Sequence, residues 1–442
     1  MKKIVIVGAV AGGATAAAQI RFYDKDAEII IFDLDDTMSY AACGMPYAIG
    51  GDIPDVTRLI SATPEDFKSE RDIDVRLKHR VTKINRKLKF VEVLNLETQE
   101  SFKESYDFLI LSLGGSPIVP KTPGLDSTTM FTLRNLNDMK KIIHYIRTEK
   151  PQSCVIVGAG FIGLEMAENL DKLGLKLSIV EKSPQIMNIL DVDSSELVEK
   201  ELHDHNIRIY KDNFITKVEG RDIELDSGEK LQADFILMSI GVAPSTELAE
   251  NAQLSIGETR GIVTNEFLQT NDPSIYAIGD AAESVDFITG DPKRVPLAWP
   301  AHRQAYIVAK HITGVEVLFK GLLGTSISKV FNLSVALTGL SKRVLDESKM
   351  NYSTVTQTSK SNSGYYPDSA EIFMKIHYDS FTRKILGAQV IGAKGIDKRI
   401  DVIATAIYAG LTMDDLQALE LAYAPPYSSP KDPVNMAGYR AK

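Results

Sequence analysis

Cysteine is scarce in this chain, which has only Cys43 and Cys154 among 442 residues. So few thiols exclude a disulfide-stabilised scaffold and are typical of a protein that folds in a reducing cytoplasm. Long apolar runs are also absent, and none reaches the roughly eighteen residues that a membrane-spanning helix needs. The chain enters a strand pattern directly after Met1 and shows no small-residue cleavage site, so we expect neither a signal peptide nor a membrane partner.

An excess of positive charge is missing as well. The net charge is -9, which argues against non-specific binding to nucleic acid. Hydrophobic residues make up 44% of the chain and charged residues 25%, as in ordinary globular proteins. A chain of 442 residues is too long for a single core, so we expect two to three domains.

The chain opens with a strand, a glycine-rich turn, a helix and a second strand that ends in an acid. In order, these cover Lys3–Val7, residues 8–13, Ala14–Arg21, Glu28–Phe32 and Asp33. This pattern, the first nucleotide motif, is typical of dinucleotide binding, because Gly8, Gly12 and Gly13 permit a tight turn close to a pyrophosphate. The helix start receives the phosphate charge, and Asp33 would accept a hydrogen bond from a ribose hydroxyl. The middle glycine of the usual pattern is replaced by Val10.

A second nucleotide motif follows with all three glycines in place. Its first strand is Cys154–Val157, and its glycines are Gly158, Gly160 and Gly163. A helix through Leu173 leads to the second strand, Lys176–Val180, which ends at the acid Glu181. Glu181 favours NADH, because a 2′-phosphate would meet a like charge, although the adjacent Lys182 could tolerate NADPH. Cys154 starts an interior strand and is most simply a core residue.

The duplication extends beyond these motifs. Residues 107–114 resemble residues 234–241, and each apolar strand closes at a glycine and is followed by a proline. A further predicted strand, residues 275–278, ends at Gly279 and Asp280. Ligands of open α/β sheets gather at that edge, so these two residues are candidates for the nucleotide site.

From about Gly324 the pattern changes to strands and helices without a glycine-rich phosphate loop. Strands are predicted at residues 328–337, 351–356, 372–378 and 384–390, and helices at 398–409 and 413–419. These elements indicate a separate α+β domain. Residues 422–433 are rich in proline and aromatics, and we expect an extended arm that is either a surface tail or a rigid segment laid across a partner.

The candidate nucleophile is Cys43, within the stretch Ser39–Tyr47. A helix is predicted to start at Gly44 and continue to Ile49, with Pro46 in its first turn. A thiol at a helix start has its thiolate stabilised by unpaired backbone N–H groups and the helix dipole. The alternative is that Cys43 is a small buried hydrophobe, and the stretch alone does not separate the two interpretations.

Together, these segments resemble the FAD- and NAD(P)-dependent pyridine nucleotide-disulfide oxidoreductases over the whole chain. The resemblance implies an α/β fold with two Rossmann-like domains, the first for FAD and the second for NADPH or NADH, and a C-terminal α+β dimerisation domain of a homodimer. It also implies that Asp280 contacts the ribityl chain of FAD. The expected boundaries are 1–115 with 251–323 for FAD, 116–250 for NAD(P)H and 324–442 for dimerisation.

The resemblance is strongest to the single-cysteine branch, because Ala48 stands where a second active-site cysteine would fall. Members of that branch reduce coenzyme A disulfide, oxygen, peroxide or persulfides. Residues 8–13, 39–47, 395–406 and 422–439 are similar to members that act on coenzyme A disulfide. Oxygen- and peroxide-reducing members carry a histidine where this chain has Ala11, whose methyl group cannot protonate a bound peroxide.

Several further residues match positions to which the resemblance assigns a role. Those assigned to coenzyme A are Thr15, Gln19, Ser39, Arg71, His302 and Lys431. Two positions depart from the pattern: Phe22 replaces a basic residue, and Ala42 replaces an amide. Tyr365 and Tyr423 match phenols that, as the resemblance implies, reach the leaving thiolate from the partner subunit, whereas the sequence alone would favour packed aromatic residues.

The resemblance therefore implies a cytoplasmic flavoprotein that reduces coenzyme A disulfide through a mixed disulfide with Cys43 and maintains thiol redox balance. The alternatives are an NADH oxidase that uses a Cys43 sulfenic acid, a polysulfide or persulfide reductase, and a non-enzymatic redox sensor. No metal site is expected.

Overall fold

The computed structural model describes residues 1–125 and 129–442. These residues form two compact units. The first unit comprises Met1–Ile118, Arg134–Lys141 and Gly241–Leu322, and the second comprises Val119–Leu133, Ile142–Ile240 and Leu323–Lys442. Among the described residues, no helix combines the length and the apolar character that crossing a bilayer requires.

The α-helices of the described residues are numbered in chain order. They are α1 (Ala11–Tyr23), α2 (Met45–Ile49), α3 (Pro64–Arg71), α4 (Leu136–Glu149), α5 (Phe161–Asp171), α6 (Val192–Asp204), α7 (Glu247–Asn251), α8 (Ala298–Ile312), α9 (Lys342–Glu347), α10 (Ile396–Tyr408), α11 (Met413–Ala418) and α12 (Pro433–Arg440).

The strands are numbered in the same way. They are β1 (Lys3–Val7), β2 (Glu28–Phe32), β3 (Asp74–Arg76), β4 (His79–Asn85), β5 (Phe90–Asn95), β6 (Ser101–Ser105), β7 (Phe108–Leu111), β8 (Gly115–Pro117), β9 (Met130–Phe131), β10 (Ser153–Val157), β11 (Lys176–Val180), β12 (Arg208–Tyr210), β13 (Ile215–Glu219), β14 (Asp222–Leu225), β15 (Lys230–Gln232), β16 (Phe235–Met238), β17 (Val242–Pro244), β18 (Ile262–Val263), β19 (Ile275–Ala277), β20 (Ala282–Val285), β21 (Pro292–Lys293), β22 (Ser326–Val330), β23 (Leu333–Gly339), β24 (Tyr352–Lys360), β25 (Glu371–Asp379) and β26 (Ile385–Gly392).

The first unit is built on a parallel sheet in the order β19-β7-β1-β2-β3. Successive side chains of β1 point to opposite faces, so Ile4 and Ile6 pack with α1 and α8 while Val5 packs against β4 and β5. Because both faces are covered, the strand is a continuous apolar run, as the sequence predicts. The carboxyl ends of these strands form one edge of the sheet.

The second unit contains a matching parallel sheet in the order β12-β11-β10-β16-β9. It also contains a five-stranded antiparallel sheet in the order β22-β23-β26-β25-β24, with α10 packed against β23 and β26. The chain is therefore α/β, with two dinucleotide-type sheets and a C-terminal α+β region, as predicted.

One detail of the C-terminal prediction is wrong, and helix α12 was not predicted. The single strand expected over residues 328–337 is a hairpin of β22 and β23, and it turns at Phe331, whose φ of 53° is left-handed. The predicted extended arm carries no helix up to Asp432, and within it Tyr423 and Tyr427 are exposed whereas Ser428 and Asp432 are buried. The buried guanidinium of Arg399 holds this segment through Asp432 Oδ2, 3.0 Å from Nη2. Helix α12 follows the arm and was not predicted, because the neighbouring prolines dominate the local pattern.

Candidate active site

Cys43 is exposed and lies in a single 3₁₀ turn, Ala42–Gly44, directly before α2. The predicted helix start is confirmed, because Gly44 is the N-cap and Pro46 lies in the first turn. The helix has only five residues, fewer than two turns of aligned dipoles, so its stabilisation of a thiolate is small. A Cβ on Gly44 would lie 2.4 Å from Leu59 Cδ2, so the glycine after the cysteine lets the turn pack closely.

Ser39 connects the cysteine stretch to the first nucleotide motif. Its N–H donates to the carbonyl oxygen of Ala9 at 2.9 Å, and its own carbonyl oxygen accepts from the N–H of Ser61 at 2.7 Å. Ser39 is left-handed, with φ of 45°. These bonds tie the stretch that carries Cys43 to the glycine-rich turn within the first unit.

The turn of the first nucleotide motif requires glycine at its ends. Gly8 has φ of 103°, and a Cβ there would lie 2.2 Å from the carbonyl oxygen of Ser112. A Cβ on Gly13 would lie 1.8 Å from the carbonyl oxygen of Gly8. The helix α1 therefore starts close to β1, which is the geometry that a dinucleotide turn needs.

Asp33 follows β2, and its carboxylate forms a hydrogen bond with the glycine-rich turn. Its Oδ2 accepts from the N–H of Ala9 at 2.6 Å, and its Oδ1 accepts from the N–H of Asp35 at 2.8 Å. Burial raises the pKa of Asp33, although these backbone hydrogen bonds oppose the shift. The carboxylate lies at the carboxyl edge of the sheet, where the sequence places a ribose contact.

The second nucleotide motif repeats this arrangement with an open middle position. Gly158 has φ of 101°, and a Cβ on Gly163 would lie 2.1 Å from the carbonyl oxygen of Gly158. A Cβ on Gly160 would meet nothing within 4 Å, so this glycine leaves space beside the N-terminus of α5. Glu181 accepts from the N–H of Ala159 at 2.8 Å through Oε2 and from the N–H of Ser183 at 2.8 Å through Oε1. The space and the orphan N–H groups fit a pyrophosphate.

Gly279 and Asp280 follow β19 in a 3₁₀ turn at the edge of the first sheet. Asp280 Oδ2 lies 2.8 Å from Nη2 of Arg134, and Nη1 of Arg294 donates to the carbonyl oxygen of Asp280 at 2.8 Å. The N–H of Gly279 donates to Oε1 of the buried Gln304 at 2.7 Å. Arg134, Arg294 and Gln304 were not predicted, because none of them belongs to a recognisable local motif and Arg134 lies 146 residues from Asp280.

Two of the residues assigned to coenzyme A meet directly in the first unit. Thr15 Oγ1 on α1 lies 2.6 Å from His302 Nδ1 on α8. Gln19 is one turn further along α1. Arg71, at the end of α3, lies over the ring of Phe67 and contacts a carboxylate of Glu70 at 2.8 Å.

The remaining candidates lie in the second unit. The hydroxyls of Tyr365 and Tyr423 are 3.5 Å apart, and this hydrogen bond lowers the pKa of Tyr365. Both rings are exposed rather than packed in the core. Lys431 Nζ lies 4.7 Å from the centroid of the Tyr439 ring. Over residues 1–125 and 129–442, no group of three or more His, Cys, Asp or Glu side chains could hold a metal ion.

Comparison with known proteins gives consistent results over the full length. The family model described as pyridine nucleotide-disulphide oxidoreductase matches residues 2–305, and the model of its dimerisation domain matches residues 325–433. The coenzyme A disulfide reductase of Staphylococcus aureus (strain NCTC 8325 / PS 47) is 41% identical over 443 residues and is covered, like this chain, over 100% of its length.

Two solved structures share the fold. The reduced Bacillus anthracis CoADR-RHD is 43% identical, with a TM-score of 0.98 over 99% of this chain and 79% of that chain. The NAD-dependent persulfide reductase of A. fulgidus is 33% identical, with a TM-score of 0.96 over 99% of this chain and 82% of that one.

Proposed function

This chain belongs to the pyridine nucleotide-disulphide oxidoreductase family, and we propose that it is a cytoplasmic, homodimeric flavoenzyme that reduces coenzyme A disulfide with NAD(P)H. The observation that carries the proposal is the exposed Cys43, connected through Ser39 to the first glycine-rich turn, in a chain whose full length matches coenzyme A disulfide reductases. The match of residues 325–433 to the dimerisation domain supports the homodimer. The low cysteine content supports the compartment.

In the overall reaction, one coenzyme A disulfide, one NAD(P)H and one proton are converted to two coenzyme A thiols and NAD(P)⁺. The Cys43 thiolate attacks one sulfur of the substrate, a Cys43–coenzyme A disulfide forms, and the substrate S–S bond breaks to expel one coenzyme A thiolate. Tyr365 of the partner subunit or Tyr423 of the partner subunit donates the proton that this leaving group needs. FAD, when bound, supplies the two electrons of NAD(P)H that cleave the mixed disulfide. The S–S bond between Cys43 and the second coenzyme A then breaks, so that Cys43 becomes a thiolate and the coenzyme A leaves as a thiol.

The two nucleotide motifs have separate roles in this proposal. FAD is held by the first motif and the edge of the first sheet, through Gly8, Gly12, Gly13, Asp33, Gly279 and Asp280. NAD(P)H is held by the second motif, through Gly158, Gly160, Gly163 and Glu181. The corresponding domains are 1–115 with 251–323, 116–250 and, for dimerisation, 324–442. Each nucleotide domain then contains one complete parallel sheet core, which supports this division.

NADH is the preferred reductant in this proposal. Both oxygens of Glu181 are fixed by backbone N–H groups, so the carboxylate stays where the second ribose hydroxyl would lie. Lys182 is the single cation in residues 182–191, and its ammonium lies 5.9 Å from the centroid of the Phe214 ring. A 2′-phosphate would therefore meet a carboxylate without a guanidinium to pair with it.

In this proposal, coenzyme A is bound by the residues that the resemblance assigns to it, which are Thr15, Gln19, Ser39, Arg71, His302 and Lys431. Arg71 and Lys431 pair with phosphate groups, and the Thr15–His302 contact places two polar groups on adjacent helices.

The test is anaerobic oxidation of NADH and of NADPH by the purified protein with coenzyme A disulfide. Two thiols formed per nicotinamide oxidised would support the proposal. Rapid aerobic NADH consumption without any anaerobic turnover would instead identify an oxidase, which Ala11 disfavours. A parallel assay with polysulfide distinguishes a persulfide reductase.

A further inference from the structure

The second unit contains an arginine that is almost completely removed from water. Arg399 lies in the first half of α10 and is only 1% exposed. A guanidinium is always charged and carries five N–H donors, so burying it is costly unless acceptors surround it. The acceptors of Arg399 therefore show what this side chain holds together.

The guanidinium of Arg399 joins three separate parts of the chain. Its Nε and Nη2 lie 3.3 Å and 3.0 Å from the two carboxylate oxygens of Asp432. Nη2 also donates to the carbonyl oxygen of Ser361 at 2.8 Å and to that of Tyr427 at 3.5 Å. Nη1 donates to the carbonyl oxygen of Gly395 at 2.8 Å. One side chain thus connects the start of α10 to two segments that are about 60 residues apart in sequence.

The two connected segments carry the tyrosines of the proposed reaction. Residues 361–370, the first tyrosine segment, contain Tyr365, and residues 422–432, the second tyrosine segment, contain Tyr423. The hydroxyls of these tyrosines are 3.5 Å apart. Neither segment is helix or strand, so no regular ladder of backbone hydrogen bonds fixes its position. The distance between the phenols therefore depends on other contacts.

Further buried contacts link the tyrosine segments to each other and to the carboxylate that Arg399 holds. Ser363 donates from its N–H to the carbonyl oxygen of Pro425 at 3.2 Å and from Oγ to that of Ser428 at 3.1 Å. Ser428 Oγ donates to Asp432 Oδ2 at 2.6 Å. Burial alone would raise the pKa of Asp432, but the charge of Arg399 and the hydrogen bond from Ser428 hold the pKa below its usual value.

The start of α10 is shaped around the same guanidinium. Gly395 is the N-cap, with φ of 70°, and a Cβ there would lie 2.3 Å from Nη1 of Arg399. Lys398, the residue before Arg399, donates from Nζ to the carbonyl oxygen of Ala422 at 3.4 Å, directly before Tyr423. Residues 395–399 thus contact both tyrosine segments, although no step of the proposed reaction uses them.

We propose that Arg399 is a positioning residue that holds the two tyrosine segments so that Tyr365 and Tyr423 can protonate the leaving thiolate. The proposal rests on the proposed reduction of coenzyme A disulfide. When the substrate S–S bond breaks, the leaving coenzyme A thiolate takes a phenol proton, and the phenolate regains a proton from water. Arg399 supplies no proton itself, since a guanidinium is not deprotonated in proteins, and it acts only through the two segments.

The test varies how much the leaving group needs a proton. Coenzyme A disulfide expels a basic alkyl thiolate. The mixed disulfide of coenzyme A and a nitrothiobenzoate expels a weakly basic aromatic thiolate, which leaves without a proton. Arg399→Lys keeps the charge but not the planar fork. In this variant we expect kcat/KM for coenzyme A disulfide to fall about a hundredfold, whereas that for the mixed disulfide should stay within about threefold of the original.

Three further variants show whether the effect passes through the tyrosines. In a chain that already carries Tyr365→Phe and Tyr423→Phe, Arg399→Lys should cause no further loss. Lys398→Ala removes a bond to the second tyrosine segment and keeps the buried guanidinium, so it should show the same substrate selectivity with a loss of about threefold. Arg383→Lys is the matched control: it alters a more exposed arginine–carboxylate pair of the second unit and should leave both rates unchanged.

The outcomes separate this inference from the proposed function. If the unaltered protein does not reduce coenzyme A disulfide, the proposed function fails and this inference with it. If it does, but Arg399→Lys leaves kcat/KM unchanged, lowers it equally for both substrates or adds to the loss in the tyrosine variant, only the positioning role is wrong. Bound flavin and melting temperature report whether each variant folds. If Arg399→Lys does not fold, Lys398→Ala decides, and a loss that is not confined to coenzyme A disulfide contradicts the inference.

Discussion

The two nucleotide motifs share their framework and differ in what is attached to it. In each, a glycine with φ near 100° precedes the helix, and an acid at the end of the next strand accepts the N–H of an alanine in the turn. Asp107 and Asp234 also correspond, because each accepts the N–H of the first residue of the neighbouring central strand, Lys3 and Ser153.

The differences lie at the middle of the turn and beyond the acid. The first motif has Val10 where the second has Gly160, and the chain beyond its acid carries the exposed Cys43. The second motif instead has a buried cysteine, Cys154, and beyond its acid a loop that ends at the buried Asp191. The shared features build two dinucleotide turns, and the unshared ones decide which motif serves the disulfide chemistry.

The strongest test of this difference exchanges each cysteine in turn. Cys43→Ser should lower turnover of coenzyme A disulfide at least about a thousandfold, because a hydroxyl cannot form the mixed disulfide. Cys154→Ser should retain turnover, since Cys154 is buried in β10 and burial raises the pKa of its thiol. Steady-state rates with bound flavin measured in parallel check both, and substantial disulfide reduction by Cys43→Ser would contradict the mechanism.

The second test removes the buried carboxylate of Asp191, which follows the second motif and has no counterpart after the first. Asp191 precedes α6 and accepts from His377 Nε2 at 3.0 Å, Lys375 Nζ at 3.1 Å and Gln389 Nε2 at 3.0 Å, all within the second unit. Asp191→Ala leaves the buried His377 Nε2 and Gln389 Nε2 without this acceptor, whereas Lys375 keeps its contact with Asp193. The change should destabilise the second unit by about 3–5 kcal/mol. Denaturant unfolding measures the loss, and Asp346→Ala, which removes the exposed partner of Lys342, should leave the stability close to that of the original protein.

The same carboxylate gives a pH dependence with a definite sign. Burial alone would raise the pKa of Asp191, but the hydrogen bond and charge of His377 outweigh it and hold the pKa below its usual value. Its contribution is therefore present above the unfolded-state pKa of about 3.9 and is lost as pH falls below it. The stability difference between the original protein and Asp191→Ala should stay large at neutral pH and shrink in acid.

Most of the framework could be predicted from the sequence, because it depends on local patterns. The strands Lys3–Val7, Glu28–Phe32 and Lys176–Val180 agree residue for residue with prediction. The contact of buried Asp191 with Gln389 and that of Asp280 with Arg134 could not be predicted, since these partners lie about 140 to 200 residues away. The roles of the site residues remain predictions, since sequence spacing does not fix distances between separate segments.

The third test exchanges the middle residues of the two turns. Gly160→Val places a side chain in the open space beside α5 and should raise the KM for NADH about a hundredfold while bound flavin is retained. Val10→Gly is the matched change in the first motif, and it should leave NADH kinetics unaltered. An unchanged KM for Gly160→Val would show that the second turn does not bind the reductant.

The smallest effect concerns the acids that end the second strands. Glu181→Gln keeps an oxygen that can accept from Ala159 or Ser183 but removes the charge that opposes a 2′-phosphate. We expect the ratio of kcat/KM for NADH to that for NADPH to fall about tenfold, which corresponds to about 1.4 kcal/mol. The matched Asp33→Asn variant should leave this ratio unchanged even if it weakens flavin retention, because Asp33 belongs to the other motif. A ratio that moves equally in both variants would mean that the two motifs do not divide the cofactors between them.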